Sequence, residues 1–324
     1  MNPTGTASAM CGIEASDGRA RRFVDDNTVI PPSPERRCMS EEAATSLSTD
    51  DVRSMYERSF PLHERRWERE GHRSYHHGYY RTPNDDPADA IRRMTERVAD
   101  AVDVGPGDRV LDLGCGVGGN SRWLAEHGAA AVVGVNVHDR QLEFAKRLTE
   151  AAGLEDVVTY RSDDFHELAT IDQGSVDVVW GLEALCHSRD DSAVVDASMR
   201  ALGDGGRIVF ADIFQRQSPP SDDDRLDALY ASWDVRYDPI DDLEAALTDR
   251  GFTDVETVDC TNAVAPSIER AGSESRYGRL YYRLLSMVGR ADDRMVELAT
   301  GGYHCQRCYG DLLGYYITSA RLEP

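Results

Sequence analysis

The stretch VLDLGCGVGGN, residues 110–120, places an acid, Asp112, two residues ahead of a turn built from Gly114, Gly116, Gly118 and Gly119. Glycines where a strand runs into a helix let a ligand lie directly against the backbone. Gly114, Gly116 and Gly119 satisfy G-x-G-x-x-G, the dinucleotide fingerprint. That fingerprint also calls for an acid about 20 residues on, at the end of the second strand. Asn136 stands there instead. A carboxylate at Asp112, aimed at the strand's carboxyl end, would repel a pyrophosphate. It suits the ammonium of an amino acid, directly or through water. S-adenosylmethionine carries such an ammonium, a ribose and an adenine, and no phosphate.

A second group of residues suits proton chemistry. GLEALCHSRD, residues 181–190, offers Glu183 and His187 just beyond an apolar strand, where an acid faces the ligand crevice of an α/β sheet. SYHHGYY, residues 74–80, supplies Tyr79 and Tyr80, whose ring faces could stabilise a cation, and His77, which could orient an acceptor. For His187 the structural alternatives are helix capping and backbone hydrogen bonding; for the two tyrosines, ordinary lid packing. His72, His76 and His77 lack carboxylates at helical spacing, and Cys305-x-x-Cys308 lacks a second pair, so no metal is expected.

These residues need a frame. An apolar run at 109–113, the turn, a helix ending near Gly128, strands at 130–135, 157–161, 176–180 and 207–213, and helices between them predict a parallel sheet covered on both faces. Asp139 is expected to cap the helix after the second strand, and DDLEAALTDRGF to form a capped helix leading into a strand at 255–258. Leu313–Ile317 is expected to close the sheet. Val52, Met55, Tyr56 and Phe60 share one helical face. The expected division is a disordered leader at 1–45, with Met39 a possible true start, a helical lid at 46–87 and the main domain at 88–324. Leu280, Leu284, Leu285 and Val288 make an apolar helical stripe. It completes the core or a dimer contact, or else walls a lipophilic acceptor.

LDLGCGVGG, VVGVNVHDRQLEFAK, YRSDDF, VDVVWGLEALCH and GGRIVFAD, in that order over 109–213, resemble the motif series of class I S-adenosylmethionine-dependent methyltransferases. The resemblance implies a Rossmann-like, doubly wound, mostly parallel seven-stranded α/β sheet, with S-adenosylmethionine as cofactor. It implies that Asp112, Gly114, Cys115 and Gly116 line the methionyl part. Asn136 and Val137 would lie at the ribose, with Gln141 in the same cofactor set, Asp164 and Phe165 at the adenine, and Gly181 to Glu183 beside the sulfonium. Many members carry an acid where Asn136 stands; the sterol and tocopherol methyltransferases admit other residues there. GLEALCHSRD and SYHHGYY resemble segments of that branch. The expected reaction is methyl transfer to a small acceptor, first of all carbon of an isoprenoid, sterol-like or quinone-like molecule, with Tyr79 and Tyr80 facing the cation and Glu183 or His187 taking the proton. Two other readings stay open: N- or O-methylation of a polar metabolite such as glycine or sarcosine, and cofactor binding without transfer.

The 324 residues carry a net charge of -22, with Lys146 the one lysine. Such a charge works against nucleic acid and anionic membranes. Its acids recur in Asp-Asp pairs spread along the chain, which suggests a salt-rich cytoplasm. No run of about 18 apolar residues and no apolar signal centre in the first 30 residues imply a cytoplasmic protein, a homodimer being one possibility. The seven scattered cysteines are too sparse for a disulfide framework.

Overall fold

β1 (Arg109–Leu113) is buried at four of its five positions, as a strand covered on both faces must be. It pairs in parallel with β2 (Ala131–Asn136) on one side and β4 (Val176–Leu182) on the other. β3 (Val158–Ser162) lies outside β2, and β5 (Leu202–Gln215) outside β4. Two antiparallel strands finish the sheet, β6 (Phe252–Asp259) at the edge and β7 (Leu313–Leu322) between it and β5. The order is therefore β3-β2-β1-β4-β5-β7-β6, the seven-stranded, mostly parallel sheet expected. After β3 the chain crosses to the far side of β1, so a crevice opens beyond the carboxyl ends of β1 and β4. The computed structural model describes residues 48–50, 52–57, 74, 76–217 and 221–323, all within the unit Ser46–Pro324. The expected leader with Met39, and Phe60 and His72, lie outside the described residues.

A helical stretch, α1, covers 49–50 and 52–57. α2 (Pro87–Ala101) starts where Asp86 accepts from the N–H groups of Ala88 and Asp89 and Pro87 occupies the first turn. α3 (Gly119–Glu126), α4 (Asp139–Ala152) and α5 (Asp191–Ala201) are the crossovers of the parallel part. α6 (Asp224–Trp233) and α7 (Ile240–Asp249) lie between β5 and β6. α8 (Thr261–Met287), α9 (Asp293–Leu298) and α10 (Gly301–Cys308) separate β6 from β7. Trp180, Phe210, Phe214 and Tyr315 are fully buried among the strands, each worth roughly 2–3 kcal/mol of apolar transfer.

Several expectations need correction. The cap of α4 is His138, whose ring accepts from the Gln141 N–H, because Asp139 is taken by the Ser162 hydroxyl at 2.8 Å. α7 begins after Pro239 with no side-chain cap. β5 runs to Gln215, since β7 pairs with it along its whole second half. α6 was not anticipated. Among the described residues the lid is helical only in α1, and 77–80 have no regular secondary structure. The α8 stripe does not complete the core: Leu280, Leu284 and Val288 are more than half exposed.

Candidate active site

The glycine turn is fixed by sterics. Gly118 has φ 72°, and a Cβ there would sit 2.0 Å from the Tyr160 hydroxyl, which bonds Thr149 at 2.9 Å. Gly114, at φ 62°, meets Ala184 from the loop after β4. Beyond the turn lies an open cleft of about 800 Å³, mouth included. Its walls take Gly114, Cys115 and Gly116 from the turn, Asn120 from α3, Asn136, Val137 and Gln141 from the second crossover, and Phe165 after β3. Glu183 and His187 come from the loop after β4, and Val52 and Tyr56 from α1.

Asp112 is not on that wall. It is 2 % exposed and accepts from the Ser121 hydroxyl of α3 at 2.5 Å, bracing the turn from beneath. Burial pushes its carboxyl up to about 7, against the pull of Ser121. Asn136 donates to Gln141 Oε1 at 2.7 Å, so the two amides hold each other at the end of β2. The ring of His138 accepts the Gln141 N–H through Nδ1 at 3.2 Å, which leaves Nε2 to carry the proton towards Glu57 of α1, 3.1 Å away. Asp164, expected at the adenine, is engaged elsewhere: it accepts from Thr49 at 2.5 Å, Arg189 at 3.0 Å, and the backbone and ring of His166. Burial would raise its carboxyl, but those bonds hold it well below the usual carboxylate range. Phe165 faces the cleft in its stead. Gly181 stays inside β4, where a Cβ would meet the Phe210 ring at 2.7 Å.

Glu183 has the left-handed φ of 54° and lines the cleft. Its Oε1 receives three donors: the His77 N–H at 2.6 Å, His77 Nδ1 at 2.9 Å and the Tyr315 hydroxyl at 3.1 Å. Burial alone would raise its carboxyl; the His77 charge and hydrogen bonds outweigh that and lower it. Asp212, within β5, receives the Cys186 N–H at 3.0 Å, and burial beside Glu183 pushes it up to about 8. Of the two neighbouring acids, Glu183 keeps the charge. His187 Nε2 meets the Tyr56 hydroxyl at 2.8 Å, and burial pushes the ring down to about 4, so it is neutral near pH 7.

Tyr79 and Tyr80 are outside the cleft. Tyr80 is buried with its N–H on Ala263 O, and Tyr79 gives its N–H to Ala90 O beneath the Arg97 guanidinium. The aromatic rings on the wall, among the described residues, are Tyr56, His76, Phe165 and His187. Sequence reasoning missed Tyr56 as a site residue, although its helical face was legible, and missed Tyr315 altogether. Cys305 and Cys308 are both buried in α10, and burial pushes the Cys308 thiol up to about 11.

Residues 111–210 match the family model described as a methyltransferase domain. The chain thus carries a methyltransferase domain over these residues. Among curated relatives, methyltransferase GfsG of Streptomyces halstedii is 41% identical over 143 residues, 44% of this chain and 51% of that protein. The match thus spans about half of that relative's length. The 27-O-demethylrifamycin SV methyltransferase of Amycolatopsis mediterranei is 29% identical over 251 residues, covering 76% of this chain and 89% of that one. In fold the chain is similar to the [4+2]-cyclase SpnF, with a TM-score of 0.72, 21% identity, and coverage of 86% of this chain and 97% of that one.

The wall fits the family's cofactor. Backbone at the glycine turn, two amides and one aromatic ring suit a methionyl tail, a ribose and an adenine. No arginine or lysine is among the described lining residues, which fits a ligand without phosphate.

Proposed function

We propose that the protein transfers the sulfonium methyl of S-adenosylmethionine to a small-molecule acceptor that gives up its proton at Glu183, a hydroxyl on a largely apolar molecule. The observation that carries this reading is the division of labour on one carboxylate. Oε1 is saturated by His77 and Tyr315, whereas Oε2 has no hydrogen bond among the described residues and belongs to a side chain on the cleft wall. The cofactor supplies an already activated methyl group. What remains for the protein is alignment and a proton acceptor.

Gly114 and Gly116 let the methionyl part approach the backbone, Asn136 and Gln141 meet the ribose, and Phe165 packs on the adenine. Glu183, kept ionised by His77, would take the hydroxyl proton on Oε2 as the oxygen–methyl bond forms and the sulfur–methyl bond breaks, the leaving group being the neutral thioether S-adenosylhomocysteine. The relative that covers three quarters of this chain is named for methylating 27-O-demethylrifamycin SV, which supports an oxygen acceptor. A glycine- or sarcosine-type acceptor fits less well: its carboxylate calls for an arginine, and no arginine is among the described lining residues. Carbon methylation is the second reading. Tyr56 and Phe165 offer ring faces to a carbocation, and the same carboxylate takes the proton lost afterwards.

The test uses methyl-labelled S-adenosylmethionine with a cell extract split into organic-soluble and water-soluble fractions. Label in an organic-soluble product whose methyl is bonded to oxygen, read by mass and NMR, is expected. An organic-soluble product methylated on carbon moves the assignment to the second reading, and label only in the aqueous fraction overturns both.

A further inference from the structure

The second half of α8 is unlike the rest of the molecule. Between residues 276 and 290 stand four arginines, Arg276, Arg279, Arg283 and Arg290, and no acid, in a chain of net charge -22. The same stretch carries Tyr277, Leu280, Tyr281, Leu284, Met287 and Val288, exposed by 55–82%. Their spacing, 277, 280, 281, 284, 287, 288, puts all six on one side of the helix. Gly278, Tyr282 and Leu285, on the side towards α9 and α10, are the less exposed ones. Arg276, Arg279, Arg283 and Arg290 project between the two sides, and none is in an ion pair among the described residues. An apolar patch of this size on a soluble domain marks a contact surface.

We propose that this face of α8 docks on an anionic lipid surface, with the apolar row among the acyl chains and the arginines on headgroup phosphates or carboxylates. Charge decides against a second copy. Two α8 helices paired through the row would leave both sets of arginines without a counter-charge, and in the antiparallel arrangement Arg283 would meet its own mate. A convex row of tyrosine, leucine and methionine flanked by arginine is the pattern of helices that lie in the bilayer interface. The net charge of -22 does not forbid it. Beyond a Debye length of about 8–10 Å the other acids are screened, whereas arginines in contact with headgroups are not. No helix among the described residues is long and apolar enough to cross a membrane, so the contact is peripheral. It would also bring the cleft to where apolar acceptors concentrate, although the docking itself does not depend on the acceptor's identity.

The experiment is co-sedimentation of the full chain with phosphatidylcholine vesicles and with equimolar phosphatidylcholine and phosphatidylglycerol vesicles. Binding to the mixed vesicles is expected to be stronger by about tenfold or more, a preference that Arg276→Glu with Arg283→Glu removes. Leu280→Asp with Leu284→Asp should abolish binding to both, and each variant should keep its calorimetric affinity for S-adenosylmethionine, which separates lost docking from lost folding. Absence of the wild-type chain from the vesicle pellet overturns the proposal, as does equal binding to both vesicle types. A dimer in velocity sedimentation that Leu284→Asp dissolves, without vesicle binding, assigns the face to a protein instead.

Discussion

Glu183 is one carboxylate with two unlike oxygens, and its chemistry depends on His77 as much as on itself. His77 lowers the carboxyl, so the ionised base persists as pH falls until that lowered value is reached. Activity should therefore decline only on the acid side, and in His77→Ala the same limb should move to higher pH, because the stabilising partner is gone. A pH profile of kcat/KM for the two proteins checks the sign. Glu183→Gln keeps the side chain's size but not its basicity. It should lower kcat by about 10²–10⁴-fold and leave S-adenosylmethionine affinity little changed by calorimetry. Asp112 gives a second pH dependence of opposite origin. Its burial puts the carboxyl at about 7, so near neutrality the group is half protonated, and a ligand ammonium over the turn favours the ionised form. Affinity for S-adenosylmethionine should rise between pH 6 and 8, by roughly tenfold at most, and the slope should vanish in Asp112→Asn. A flat calorimetric profile for the wild type would remove Asp112 from the cofactor's electrostatics.

The elements that position these residues differ in how far their sequence betrays them. β1, its turn and α3 are local: an apolar run, then glycines at positive φ, then a helix, all within 18 residues. Short-range pattern suffices there, and the cleft's floor was legible. Tyr315 reaches Glu183 across 132 positions, through the pairing of Ile213 with Tyr315 in the antiparallel part of the sheet. No spacing along the chain encodes that register. Tyr79 and Tyr80 mislead for a related reason. Their composition suits a cation-facing wall, but their N–H groups bond to α2 and α8, which orients the segment and carries both rings away from the cleft. α1 shows the same long reach put to use. Thr49 bonds Asp164, Arg53 reaches Val137 O at 3.1 Å, and Glu57 pairs with Arg140 at 2.7 Å. Tyr56 closes the set on His187. Four side chains thus clip α1 over the end of the cleft lined by Asn136, Val137 and Phe165. Thr49→Val combined with Tyr56→Phe removes two clips of about 1 kcal/mol each. The double variant should raise KM for S-adenosylmethionine by roughly ten- to thirtyfold and change kcat far less; a fall in kcat alone would mean that Tyr56 acts on the acceptor.

At the scale of the molecule, 58 acids against 36 basic side chains set the conditions under which any of this chemistry proceeds. Many of the ion pairs lie at the surface and use arginine: Arg109 with Asp177, Arg225 with Asp223 and Asp311, Arg250 with Asp196. Exposed pairs of this kind contribute little individually, and 58 acids against 36 basic side chains leave an excess of negative charge spread over the chain. Dispersed like charge repels at low ionic strength over about 10 Å or more, and molar salt cuts that range to about 3 Å. Salt weakens the surface pairs as well, so the two effects oppose each other. The excess of acids decides the balance, because a net charge of -22 makes like-charge repulsions outnumber the attractions that salt removes, and excluded ions strengthen apolar burial in addition. The thermal midpoint should therefore rise from low to molar KCl, and it should rise less in a variant whose exposed Asp-Asp pairs are changed to Asn. Calorimetric melting across a KCl series measures both. A midpoint that stays flat or falls with KCl would mean that the arginine pairs, not the excess of acids, dominate the surface, and would overturn the salt-rich setting that the composition suggests.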